Sequence, residues 1–201
     1  MPRIDLNGEG QEYFDILREI GNIGAGNATT ALAQLLGSKV DMGCPEVTLL
    51  DFDKIGEHLG GDEQIMAGVY LMVEGDITGS IMFLLKKESA QLLISKLMGT
   101  QIESDELSEM EQSALKEIGN IITASYLNAL STLTNLVIYP SVPALSIDMC
   151  CAIMSVPAIE FGAMGDKMLL IQNRFFDGLD GYFVLVPDLE SYDKILASIG
   201  M

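Results

Sequence analysis

The chain has 201 residues, 49% of them hydrophobic, which suits a packed core and excludes a disordered chain. Its 29 acidic and 11 basic side chains leave a formal charge of −18. That balance argues against nucleic acid as a partner, because phosphate contacts need Lys and Arg, and disfavours anionic membrane surfaces. No apolar run approaches the roughly 20 residues that span a bilayer. The opening stretch, Met1 to Glu12, is polar and acidic, so a cytoplasmic protein without membrane insertion is expected.

Residues 1 to 10 are expected to fray. A helix is predicted from about Glu12 to Leu36, with Ile16, Ile20, Ile23, Ala31 and Leu35 as its apolar stripe and Gly37 as its stop. Its interior glycines, Gly21, Gly24 and Gly26, each cost about 1 kcal/mol relative to Ala, which points to close approach by another backbone, or to a bend. Val40 to Leu50 reads as a strand, and Asp51 to Leu59 as one or two helical turns ending at Gly60-Gly61. Ile65 to Val73 and Ile77 to Leu85 read as a hairpin through Glu74-Gly75-Asp76. Glu88 to Met98 is an amphipathic helix stopped by Gly99.

The same order then repeats. Ser108-Glu-Met-Glu is a capping box opening a helix to about Leu133. Asn135 to Ile147 contains a strand broken by Pro140 and Pro143. Asp148 to Val156 is a short helix, with a bend at Pro157 beyond it. Lys167 to Phe176 and Gly181 to Val186 form a second hairpin, and Glu190 to Ile199 closes the chain. The run Glu19-Ile20-Gly21-Asn22-Ile23 recurs 98 residues later as Glu117-Ile118-Gly119-Asn120-Ile121, and the same offset carries Pro45 onto Pro143. Internal duplication predicts a single α+β domain over 1–201, built of two pseudo-repeats, about 11–99 and 106–201. Strands of both halves would share one antiparallel-rich sheet, with the two long motif-bearing helices on one face.

Both copies read [Asp/Ser]-x3-Glu-x2-Asn-x22-Pro, through Asp15, Glu19, Asn22 and Pro45, and through Ser113, Glu117, Asn120 and Pro143. The three helical positions fall at i, i+4 and i+7, on one face. A break in a helix can account for one such Asn, but not for the same Glu and Asn recurring half a chain later. The Gly-rich run at 21–27 lacks a preceding strand and a Lys-Ser/Thr sequel, so it is not a phosphate loop. His58, the only histidine, has no partner in sequence and reads as a solvated loop residue. Cys44, Cys150 and Cys151 lack metal-ligand spacing and read as small buried residues in a reducing compartment; no metal site is expected. A carboxylate and an amide are feeble alone. They become useful when inserted into a partner's site that already holds a phosphoryl group, Mg²⁺ and a Lys, where an aligned water is what is missing.

The doubled signature, with its Glu-Ile-Gly-Asn-Ile-Gly-Ala-Gly-Asn opening, resembles the CheC/CheX/FliY family of chemotaxis phosphatases, and its CheC branch in particular. The resemblance covers essentially the whole chain. It implies a pseudo-two-fold CheC-like fold and dephosphorylation of the aspartyl-phosphate of the response regulator CheY. Glu19 and Glu117 would dock on the regulator's Lys, and Asn22 and Asn120 would orient the attacking water. Asp15, Ser113, Pro45 and Pro143 would support the motif. The protein would have no cofactor of its own, the Mg²⁺ being supplied by the regulator. CheX-like members carry one motif; FliY-like members add a flagellar-switch domain, for which no room is expected here. The resemblance also implies a second partner, the receptor deamidase CheD, near the second short helix, with Asp148, Met149 and Ile153 as contacts. The alternative is a non-catalytic module that sequesters phosphorylated CheY or CheD.

Overall fold

The computed structural model describes residues 11–40, 43, 46–102, 104, 106–161, 167–174 and 180–198. Pro45, Cys44 and the expected frayed segment 1–10 lie outside the described residues. The elements run in chain order as α1 (Gln11–Leu36), β1 (Glu46–Asp51), a 3₁₀ turn (Phe52–Lys54), α2 (Ile55–Leu59), β2 (Ile65–Gly75), β3 (Gly79–Lys86) and α3 (Lys87–Met98). The second half follows as α4 (Glu109–Thr134), β4 (Ile138–Pro140), β5 (Ala144–Met149), α5 (Cys150–Phe161), β6 (Lys167–Arg174), β7 (Asp180–Pro187) and α6 (Leu189–Ser198).

Local chemistry sets most boundaries. Ser108 caps α4: its Oγ accepts from the Glu111 amide while the Glu111 carboxylate accepts from the Ser108 amide. Both long helices end on a left-handed residue, Gly37 at φ +59° and Asn135 at φ +56°. β2 ends at Gly75, φ +120°, where a side chain would strike the Val137 carbonyl, and the hairpin turns through 76–78, past the expected tip at Glu74-Gly75-Asp76. At α6, Asp188 Oδ1 accepts from the Ser191 amide at 2.7 Å.

Two further expected boundaries shift. The first strand begins at Glu46 rather than Val40. Asp148 and Met149 belong to the end of β5, and the helix after them starts at Cys150 and continues past Val156 and Pro157 to Phe161. Nor does the expected apolar stripe of α1 hold throughout. Leu35 is exposed and Ile23 and Ala31 are half-buried, while Ile20, Gly21, Gly24, Ala25, Ala28 and Leu32 face inward.

One antiparallel sheet carries the order β1-β6-β7-β3-β2, with β4 and β5 both pairing β2. The central strands β3 and β7 pair with Phe83 opposite Phe183. The outer pairs cross between repeats: β1 lies on β6, with Glu46 facing Gln172, and β5 lies on β2, with Ala144 facing Tyr70. Alternate residues feed two cores, as strand periodicity dictates. Val69, Leu71, Ile81, Phe83, Phe183 and Leu185 pack with α1, α3, α4 and α6. Met66, Met82, Leu84, Tyr182, Val184 and Val186 pack with α2 and α5. Covered on both faces, the middle strands are continuous apolar runs.

Candidate functional site

The motif helices α1 and α4 pack against each other on the sheet. In α1 the residues Ile20, Gly21, Gly24 and Ala25 are buried, which turns Glu19 and Asn22 outward, and both are exposed. In α4, Ile118, Gly119, Ile122 and Thr123 are buried; Glu117 is exposed and Asn120 half-buried. Three-residue spacing puts each Glu and Asn one helical turn apart, with Cβ atoms about 5–6 Å from each other. Among the described residues, no hydrogen bond or ion pair engages any of the four side chains. Each pair therefore offers a carboxylate and an amide with all their bonding capacity available to a partner.

Close packing holds the helices in place. A Cβ on Gly24 would come within 2.6 Å of the Tyr126 ring, and one on Gly119 within 2.6 Å of Val69. The approach is by side chains, not by the second backbone expected from the sequence. Tyr126 in turn lies 4.0 Å, centroid to centroid, from Phe183, which lies 4.9 Å from Phe83.

The supporting positions divide. Asp15 lies on α1 one turn before Glu19, with its side chain outside the described residues, and Ser113 is exposed one turn before Glu117. Pro143 is half-buried in the link between β4 and β5, which is tied to β2: Ser141 exchanges bonds with Met72 through its amide and its Oγ, each at 2.9 Å. Asp148 and Met149 are exposed. Ile153 is not: at 4% exposure it belongs, with Met154, to the core under α5, so the expected contact through its side chain is corrected to core packing.

His58 is exposed on α2 rather than in a loop, its Nδ1 lying 3.2 Å from the Lys54 carbonyl. Cys150 is buried as expected, and burial pushes its thiol up to about 11; Cys151, expected inside, is exposed. No group of three or more His, Cys, Asp or Glu side chains that can hold a metal ion occurs among the described residues. No described helix is long and apolar enough to cross a membrane.

A family model for the CheC-like family matches residues 14–49 and 110–147, the two motif helices with the segments that follow them. The CheY-P phosphatase CheC of Bacillus subtilis (strain 168) is 40% identical over 97% of this chain and 97% of its own. This chain belongs to the CheC-like family. Two solved structures share the fold. FliY of Thermotoga maritima matches with a TM-score of 0.74 at 23% identity, over 94% of this chain and 96% of that one. A chain of the CheX–CheY–BeF₃–Mg²⁺ complex of Borrelia burgdorferi matches with a TM-score of 0.54 at 20% identity, over 82% and 95%.

One residue on the outward strip of α1 was not separated from its neighbours by sequence reasoning. Gly26 lies one turn beyond Asn22 on the same outward strip and is exposed. Its replacement by Ala124 in the second copy was the available signal.

Proposed function

We propose that this protein hydrolyses the aspartyl-phosphate of a CheY-type response regulator. The observation that carries the reading is the pair of outward Glu/Asn faces, duplicated on two helices and unengaged within the described chain. The similarity to a CheY-P phosphatase over nearly the full length supports it.

In this reading Glu19 or Glu117 accepts a charge-assisted hydrogen bond from the regulator's active-site Lys. That contact sets the helix so that Asn22 or Asn120 enters the phosphorylation pocket. The amide holds a water in line with the phosphorus–oxygen bond to the regulator's Asp. The water oxygen bonds to phosphorus as the phosphorus–oxygen bond to the Asp breaks, the Asp carboxylate is regenerated, and inorganic phosphate leaves carrying the water's two protons, one of which it sheds to solvent near neutral pH. The regulator, not this chain, would hold the Mg²⁺ that offsets charge on the phosphoryl oxygens. The chain itself contributes position rather than acid–base chemistry. The setting is the cytoplasm, where the regulator is phosphorylated.

CheD is proposed as a second partner, at the exposed end of β5. Asp148 and Met149 are exposed there, as are Ile147 and, on α5, Val156 and Ile159.

The test is phosphate release from excess phosphorylated CheY. Asn22→Ala and Asn120→Ala each leave the other site's turnover, and the double change removes most activity. Loss of one oriented donor costs about 10²–10³ in rate in other enzymes. Glu19→Lys or Glu117→Lys weakens docking by facing the regulator's Lys with a like charge. Wild-type turnover in the double Asn variant overturns the reading. Tight binding with no release beyond one equivalent establishes the sequestering module instead.

A further inference from the structure

The interior glycines of α1 have different physical reasons. Gly24 is required by the Tyr126 ring above it. Gly26 has no such neighbour: a Cβ there would meet nothing within 4 Å. It lies in the middle of a continuous helix, in no turn and at no cap. A glycine inside a helix weakens it relative to alanine, and no contact among the described residues offsets that. Local rules broken without a folding reason tend to mark functional positions.

Its place on the helix supplies the reason. Glu19, Asn22 and Gly26 fall at i, i+3 and i+7, one strip along the outward face. On α4 the same strip is Glu117, Asn120 and Ala124, and Ala124 is half-buried. We propose that Gly26 is a positioning residue of the α1 site. Its bare backbone lets a docked regulator approach α1 closely beyond Asn22, while the Ala124 methyl holds a regulator farther from α4. The two sites thus differ in affinity for the same phosphorylated partner. The contact is steric rather than a hydrogen bond, because the Gly26 carbonyl already accepts from Thr30 Oγ1 at 3.0 Å. This inference rests on the phosphatase reading.

The test uses the full chain with the α4 site disabled by Glu117→Lys and Asn120→Ala, and compares Gly26→Ala and Gly26→Leu in that background. KM for phosphorylated CheY is expected to rise with side-chain size, by about tenfold or more for Leu. The value of kcat is kept, since Asn22 is untouched, and thermal stability of the Ala variant does not fall. Affinity for beryllofluoride-activated CheY, titrated on the same variants, falls in parallel. With the α1 site disabled by Glu19→Lys and Asn22→Ala, Ala124→Gly lowers KM. Unchanged KM and affinity in Gly26→Leu overturn the inference, as does a rise in KM that tracks loss of folded protein. If the double Asn variant retains turnover, the phosphatase reading itself has failed; if it loses turnover while Gly26→Leu changes nothing, only this inference has.

Discussion

Gly24 lies under the ring of Tyr126, so close that a methyl at Gly24 would sit 2.6 Å from Cδ1. The repeat-related positions, Ile122 and Ala28, are both fully buried and reverse the order of size: α4 carries the bulk at both levels and α1 the small residue. Gly24→Ala is therefore expected to destabilise the fold by about 1–3 kcal/mol through overpacking, less up to about 1 kcal/mol of improved helix propensity. Gly26→Ala, which meets no neighbour, gains only the propensity. Chemical denaturation of the two variants, side by side, checks the opposite signs.

Thr123, also on α4, has a fully buried hydroxyl with no hydrogen-bond partner among the described residues. A buried unsatisfied polar group costs about 1–3 kcal/mol. Thr123→Val keeps the branched shape and removes the hydroxyl, so it is expected to raise stability by about 1 kcal/mol. A lower unfolding midpoint for the Val variant would show that the hydroxyl has a partner in solution.

Alkaline stability is expected to depend on Tyr70. Its hydroxyl bonds to Glu160 and Met72 Sδ, and burial, reinforced by that carboxylate, raises its pKa from 10.0 to about 12. The folded state thus holds the phenolic proton more tightly than the unfolded state. The resulting stability is complete below pH 10 and is lost as pH rises toward 12. Tyr70→Phe should flatten that part of the stability profile, measured as unfolding midpoint against pH. An unaltered alkaline limb would refute the linkage.

Asp148 is exposed, and its Oδ1 accepts from the Met149 amide at 2.7 Å. Asp148→Lys is expected to weaken CheD binding in a titration by inserting the wrong charge, with basal CheY-P turnover retained, because β5 carries neither Glu/Asn face. Unchanged affinity would move the CheD contact elsewhere.

Sequence made the local devices readable because each is written in adjacent residues: the Ser108 capping box and the Gly37 and Gly99 stops. The duplicated Glu/Asn pairs were legible for the same reason, being short and repeated. Burial within a class was harder. Ile153 and Met149 look alike as apolar residues near a short helix, yet one is core and the other surface, because the strand-to-helix change at Cys150 rotates the face presented. Pro157 suggested an end to α5, but the helix continues past it. Leu35 looked like a core residue by spacing, whereas small residues on a neighbouring strip let α4 approach closely. Nothing local records which strands pair, so the crossing of β1 to β6 and of β5 to β2 was beyond sequence reasoning.

That crossing sets the order of events on the ribosome. Glu46 emerges early, but its partner Gln172 is not made until most of the chain has been synthesised. At about 5–20 residues per second the delay is on the order of ten seconds. During it β1 has no neighbour, and β2 has only the β3 side of its ladder until β4 and β5 arrive. A nascent first repeat is thus a hairpin and a long helix with open edges, the kind of surface on which chaperones act and chains aggregate. Emergence of β6 and β7, rather than completion of the first repeat, is the step that closes the sheet.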